Sequence, residues 1–92
     1  MQSLCITLIP AYQPTEQLIT LLKEVKTKGF QIIVVDDGSN KDSNEIFEAA
    51  AQYGAVLRYA KNKGKGQAIK TGLHYIQNLY TSDCIVVTMD AD

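Results

Sequence analysis

Apolar runs and amphipathic segments alternate along this chain. The strongest run, residues 32–35, consists of four consecutive β-branched residues, a pattern typical of a strand buried on both faces of a parallel sheet. The other apolar runs are residues 4–9, 55–60 and 84–89. We therefore expect four strands, the first stopped by Pro10 and the third at a sheet edge, because Arg58 makes that run less apolar.

The three segments between these strands carry apolar residues at helical spacing. Thr15 is suited to cap the first helix and Gly29 to end it, while either Asp42 or Ser43 can cap the second. In the third helix, the small Gly72 allows close approach to the sheet. The alternation of strands and helices with short loops predicts right-handed crossovers and a parallel α/β sheet.

Length, net charge and cysteine spacing exclude several classes of protein. The length of 92 residues suits a single domain, and a formal net charge of −1 gives no general attraction to nucleic acid or to an anionic membrane. No apolar run approaches the ~20 residues that span a bilayer. Cys5 and Cys84 lie in apolar runs without Cys-x-x-Cys spacing, so we expect reduced core thiols. No secretory signal follows Met1, which favours a cytoplasmic location.

Three stretches of the chain lie at the carboxyl ends of predicted strands, at residues 10–14, 36–39 and 90–92. The carboxyl ends of parallel strands meet at one edge of the sheet, where open α/β sheets bind their ligands, so we expect these residues to form one site. For Asp36 and Asp37 the alternative is an ordinary Asp-Gly turn with solvated acids.

Asp90 and Asp92 stand two residues apart after a buried strand. In extended backbone both carboxylates point the same way, which suits a hard cation such as Mg²⁺ or Mn²⁺ shared with substrate phosphates. Zinc is not indicated, since His74 is the sole histidine and the cysteines lie in core runs. Solvated loop acids are the alternative interpretation.

A loop rich in lysine and glycine, residues 61–66, leads into the third helix. Its ammonium groups and the free backbone amides at the helix start favour an anion that bears phosphate. The loop lacks the Gly-Lys-Ser/Thr of a Walker motif and the third glycine of a dinucleotide fingerprint. A flexible, solvated loop is the alternative.

Taken in order, four motifs closely resemble the amino-terminal half of the family 2 glycosyltransferases. The motifs are Ile9-Pro10-Ala11-Tyr12, Val34-Val35-Asp36-Asp37-Gly38-Ser39, Asn62-Lys63-Gly64-Lys65-Gly66-Gln67-Ala68 with Gly72, and Asp90-Ala91-Asp92. The resemblance implies a three-layer, Rossmann-like GT-A fold, with four parallel strands in the order 3-2-1-4 and helices on both faces. Residues 1–92 would then be one domain, the nucleotide-sugar-binding half of a truncated glycosyltransferase.

The same resemblance implies roles for individual residues. Those assigned to the nucleotide are Pro10, Ala11, Tyr12, Asp36, Asp37, Lys63, Gly64, Lys65, Gly66 and Asp90. Asp37 would accept the imide hydrogen of the base, usually uracil in relatives, although the sequence does not separate its role from that of Asp36. Asp90 and Asp92 would hold the Mn²⁺ or Mg²⁺ ion, with Asp92 as a direct ligand.

The implied reaction is transfer of a sugar from a UDP-sugar donor to an acceptor hydroxyl, with inversion. Relatives carry the catalytic base further along the chain, so we expect no catalytic residue within residues 1–92 and no activity from this fragment alone. A nucleotide-sugar-binding module without turnover is the alternative. A receiver domain carries its acidic pair after the first strand, and a sugar nucleotidyltransferase has a glycine-rich motif where Pro10-Ala11-Tyr12 stands here.

Two expectations concern the rest of the molecule. A bare fourth strand favours a homo-oligomer through that edge, and a longer parent enzyme would work at the cytoplasmic face of a membrane. Of the remaining ring side chains, His74 is expected to lie at the surface and the tyrosines to pack or to lie half exposed, and none is expected to bind ligand. These ring side chains are Tyr53, Tyr59, His74, Tyr75 and Tyr80.

Overall fold

The computed structural model describes residues 4–80 and 83–91, which form one parallel sheet with helices on both faces. The elements are β1 (Leu4–Ala11), α1 (Gln17–Thr27), β2 (Gln31–Asp37), a 3₁₀ turn (Lys41–Ser43), α2 (Asn44–Ala50), β3 (Ala55–Tyr59), α3 (Lys65–Leu79) and β4 (Cys84–Thr88). The strand order is β3-β2-β1-β4, and each neighbouring pair is parallel. The expected Rossmann-like α/β sheet in the order 3-2-1-4 is confirmed.

The two central strands, β1 and β2, form the middle of the core. Side chains alternate along β2, so that Ile32 and Val34 pack in the cluster of α1 and α2 while Ile33 and Val35 pack in the cluster of α3. All four are buried. This two-sided burial explains why the run is apolar without a break, as its sequence predicted.

Close packing of α3 depends on Gly72. A Cβ atom at this position would lie 2.2 Å from Cδ1 of Leu8 on β1, far inside van der Waals contact. The helix therefore approaches the sheet more closely than a larger residue would permit, as expected from the sequence.

The first strand continues through Pro10 to Ala11, so the expectation that Pro10 stops it was wrong. The backbone N–H of Met89 donates to the carbonyl of Leu8 at 3.1 Å, which places the backbone groups of Leu8 and Pro10 on the β4 side of β1. Register pairing with β4 ends at Leu8 and Thr88. Proline is tolerated because no neighbouring strand needs a donor from it.

The start of the second helix also differs from expectation. Asn40 caps a 3₁₀ turn, its side-chain oxygen accepting from the N–H of Asp42 at 3.1 Å, and α2 begins only after that turn. Ser43 stands at the N-cap position without a side-chain hydrogen bond. At the first helix Glu16 rather than Thr15 stands at the N-cap position, without a side-chain cap hydrogen bond, although Thr15 Oγ1 accepts from the N–H of Gln17 at 3.2 Å. Gly29 follows the end of this helix with a φ of +81°, as expected.

The sheet edges are β3, as predicted, and β4. Ile85 and Val87 of β4 are exposed, at 56% and 38%. Cys5 and Cys84 are free thiols, but they are half-buried rather than core residues. Cys84 pairs in register with Leu4 and Cys5 with Ile85, so the two thiols point to opposite faces of the sheet. No helix within residues 4–80 and 83–91 has the length and apolar character required to cross a membrane.

Candidate functional site

The carboxyl ends of β1 and β2 meet the segment after β4 around a cleft of about 490 Å³. The residues that line it are Pro10, Ala11, Tyr12, Asp37, Asn62, Gly64, Lys65, Asp90 and Ala91. Most of the residues expected to bind nucleotide are thus gathered in one place. The lining does not include Asp36, Lys63 or Gly66, and Asp92 lies outside the described residues.

Asp37 is the buried acid of the cleft, with 3% of its surface exposed. Its Oδ1 accepts from the Tyr59 hydroxyl and from the N–H of Lys63 at 2.9 Å. Its Oδ2 accepts from Asn62 Nδ2 and from the N–H of Gly64, both at 3.0 Å. A carboxylate offers about four acceptor positions, so this one is fully satisfied by Tyr59 of β3 together with three donors of the loop between β3 and α3.

That loop lies against β2 because of Gly38. This glycine has a φ of +70°, and a Cβ atom on it would stand 2.2 Å from the backbone nitrogen of Asn62. Only glycine combines the left-handed backbone with the missing side chain. The turn after β2 and the loop after β3 therefore meet without intervening atoms, and Asp37 can reach the amides of residues 63 and 64.

Asp36 belongs to the opposite face of the sheet, beside α2. Its Oδ2 accepts from Arg58 Nε at 2.7 Å and its Oδ1 from the N–H of Ser39 at 2.8 Å. The guanidinium also donates to Asn44 Oδ1 at 2.6 Å and lies 5.0 Å from the centre of the Phe47 ring. The two neighbouring acids are thus separated by geometry, with Asp37 in the cleft and Asp36 in a structural ion pair.

Tyr59 is the last residue of the outer strand β3, and its hydroxyl donates a hydrogen bond to Asp37. Burial, followed by the hydrogen bond to Asp37 and the negative charges of Asp37 and Asp36, raises the pKa of Tyr59 well above its ordinary value. The phenol therefore keeps its proton at neutral pH and donates it to the carboxylate. Lys63 Nζ lies 5.5 Å from the centre of the Tyr59 ring, in cation–π range.

Lys65 and Asp90 form an ion pair across the mouth of the cleft. Their side chains are 60% and 67% exposed. Exposed pairs contribute little to stability, about 0–1 kcal/mol, so incoming ligand charges can replace either partner at small cost. The pair places one cationic and one anionic side chain on the lining of the cleft.

A metal ion would have few protein ligands here. Within residues 4–80 and 83–91, no group of three His, Cys, Asp or Glu side chains is arranged to hold one. Mg²⁺ in nucleotide sites often uses only one or two carboxylates, with phosphates and water completing its shell. The exposed carboxylate of Asp90 on the cleft fits that type of site.

Sequence reasoning did not assign Tyr59 to the site, and it treated Asn62 and Ala91 only as parts of motifs. The signal for Tyr59 lies in the pairing register, which sets Asp36 opposite Arg58 and Asp37 opposite Tyr59. Once β2 and β3 are known to be neighbours, two polar residues opposite two buried acids are candidate partners.

Comparison with known proteins gives a family. The model of the family described as glycosyl transferase family 2 matches residues 6–92. The match covers almost the whole chain, including every residue that lines the cleft.

Individual relatives share about a third of the aligned residues with this chain. An uncharacterized protein of Methanocaldococcus jannaschii is 35% identical over 85 residues, a match that covers 91% of this chain and 33% of the relative. The undecaprenyl-phosphate 4-deoxy-4-formamido-L-arabinose transferase of Yersinia pestis is 31% identical over 94 residues, covering 91% of this chain and 27% of the transferase. The chain thus spans about a third or less of the length of these relatives.

Proposed function

Because the chain belongs to glycosyl transferase family 2, we propose that its cleft binds the nucleoside diphosphate of a sugar donor, with Mn²⁺ or Mg²⁺. The donor is a UDP-sugar, and the protein as a whole transfers the sugar to an acceptor. The observation that carries this proposal is the meeting of the buried acceptor Asp37 with the exposed pair of Lys65 and Asp90 in one cleft.

The size and chemistry of the cleft support a nucleotide ligand. A volume of about 490 Å³ is typical of small-molecule sites. Tyr12 is 50% exposed on the loop after β1, and its ring is available to contact a base. Among the other lining residues, Lys65 can bind a phosphate oxygen and Asp90 the ribose or the cation.

The proposed reaction exchanges one bond at the anomeric carbon of the sugar. The bond from this carbon to the diphosphate oxygen breaks, the acceptor oxygen bonds to the carbon, and the acceptor proton passes to a carboxylate base. We expect that base in the part of the protein that follows the matched region in relatives. A divalent cation, when bound, stabilises the negative charge of the departing diphosphate. Lys65 would stabilise the same charge by a charge-assisted hydrogen bond.

Calorimetric titration of the protein with UDP in the presence of Mn²⁺ tests the proposal. We expect saturable binding that weakens at least tenfold in Asp90→Asn, since a charged contact contributes about 1.5–3 kcal/mol. Asp83→Asn is the matched control because Asp83 is an exposed acid at the opposite end of β4. Absence of UDP binding, or equal binding by the two variants, would contradict the proposal.

A second assay distinguishes an enzyme from a module that only binds. The full-length gene product is incubated with radiolabelled UDP-sugars and with acceptors that offer a hydroxyl or a polyprenyl phosphate. An enzyme moves the label to one acceptor class, and a binding module leaves it on the nucleotide.

A further inference from the structure

We propose that Tyr59 is a positioning residue for nucleoside recognition, whose hydroxyl fixes the Asp37 carboxylate from the β3 side so that Oδ2 faces the cleft. The inference rests on the proposed function, because it takes the cleft as a nucleoside site. It assigns a role to a side chain that does not line the cleft at all.

The four donors to Asp37 fall into two groups. The two on Oδ1 come from Tyr59 and Lys63, and neither of these residues lines the cleft. The two on Oδ2 come from Asn62 and Gly64, and both of these do. Oδ1 is therefore held from behind, and Oδ2 is the oxygen on the ligand side.

A carboxylate needs such an anchor because its last torsion angle is soft. The χ2 angle of aspartate has a broad distribution, so backbone position alone does not decide which oxygen faces a ligand. The ring of Tyr59 is rigid, lies half-buried among the apolar residues beside α3, and stands in register with Asp37. Its hydroxyl thus meets Oδ1 from a fixed point.

Of the two groups that donate to Asp37 Oδ2 on the cleft side, the Asn62 amide can release the carboxylate. Asn62 Nδ2 donates to Asp37 Oδ2 at 3.0 Å and also to the Asp37 backbone carbonyl at 3.1 Å. Its amide can give up the carboxylate and keep the carbonyl. A ligand N–H, such as the imide of uracil, would take the vacated position, while the bonds on Oδ1 stay unchanged.

The test combines two ligands with two protein variants of the full-length gene product. The ligands are UDP and N3-methyl-UDP, which lacks the imide N–H and so cannot use Oδ2. In Tyr59→Phe we expect UDP to bind about five- to tenfold more weakly, the loss of a modest oriented hydrogen bond. Binding of N3-methyl-UDP stays within about twofold of the parent protein.

Tyr75→Phe is the matched control. Tyr75 lies on α3 beside the same apolar cluster, and its substitution likewise removes one hydroxyl. We expect it to change neither affinity. Thermal melts set the titration temperature below the unfolding range of all three proteins, so that every titration is of folded protein.

Several results would overturn the inference. If Tyr59→Phe weakened the binding of UDP and of N3-methyl-UDP equally, the effect would be a general structural one. If Tyr59→Phe left the affinity for UDP unchanged, Asp37 would need no anchor. If the parent protein binds both ligands equally, the nucleotide site stands but Asp37 does not recognise the imide. If the parent protein binds no UDP, the proposed function itself fails.

Discussion

Arg58 Nε donates to Asp36 Oδ2 at 2.7 Å across the pairing of β2 with β3. The Asp36 side chain is 2% exposed, whereas that of Arg58 is 40% exposed. A buried carboxylate is costly without a partner, and this guanidinium provides one from the outer strand. Asp36 is therefore held in an ion pair between two strands, whereas its neighbour Asp37 lines the cleft.

Replacing Arg58 with methionine should destabilise the protein. It leaves Asp36 buried without a counterion, and we expect a loss of about 2 kcal/mol, less than for a fully buried pair because Arg58 is partly exposed. Urea unfolding measures the loss. Asn44→Ala, which removes only the second acceptor of Arg58, should cost less than half as much. Equal stability of parent and Arg58→Met would contradict this account of the ion pair.

Gly38 and Gly29 form a natural pair for comparison, since both have positive φ angles, of +70° and +81°. Gly29→Ala meets no atom within 4 Å and should cost only backbone strain, about 1–2 kcal/mol. Gly38→Ala adds a clash with the backbone of Asn62, so we expect a further loss of about 1–3 kcal/mol. It should also weaken UDP binding, because the loop that satisfies Asp37 must move. Similar effects of the two substitutions on both stability and binding would count against the role given to Gly38.

Alkaline pH should reduce the stability that the Tyr59 hydroxyl contributes. The pKa of Tyr59 is raised in the folded protein, so above about pH 10 the unfolded chain loses this proton while the folded protein keeps it. The folded state then binds more protons, and the free energy of unfolding falls as pH rises.

Urea unfolding of the parent protein and Tyr59→Phe measures this contribution across the pH range. The stability advantage of the parent should be constant from about pH 7 to 9 and should shrink above about pH 10. An advantage that grows above pH 10 would have the wrong sign for a raised pKa.

The outer edge of β4 should promote association of the 92-residue polypeptide. Ile85 and Val87 of this strand are exposed on the face of the sheet opposite to Val86, and an edge strand with apolar side chains is a template for pairing between chains. We expect light scattering to show a mass that increases with concentration and returns to the monomer value in Ile85→Lys. Leu73→Lys, at an exposed apolar position of α3, is the control and should still associate. A monomer at all concentrations would contradict the prediction.

The sheet could be predicted from the sequence because each strand carries its own local signal. Residues 32–35 are apolar on both faces, and the glycines at positions 29 and 72 mark a helix end and a close packing point. The end of β1 could not be predicted, since the tolerance of Pro10 depends on where β4 stops beside it. The cap of the second helix was missed because Asn40 starts a 3₁₀ turn that the helical pattern does not show.

For the site as for the sheet, some features could be predicted from local sequence and others depend on contacts between distant segments. Residues at strand ends, such as Asp37 and Asp90, could be placed on one edge from topology alone. The contrasting surroundings of Asp36 and Asp37 depend on the register between β2 and β3, which no local pattern determines. Metal ligation by Asp90 and Asp92 stays a prediction.

A crystal structure of the protein with UDP and Mn²⁺ tests the central claim most directly. The account predicts the nucleotide in the cleft after β1, β2 and β4, with its base within hydrogen-bonding distance of Asp37 and its diphosphate between Lys65 and Asp90. A nucleotide bound elsewhere on the molecule, or one in this cleft that leaves the Lys65–Asp90 pair and the Asp37 contacts untouched, would contradict it.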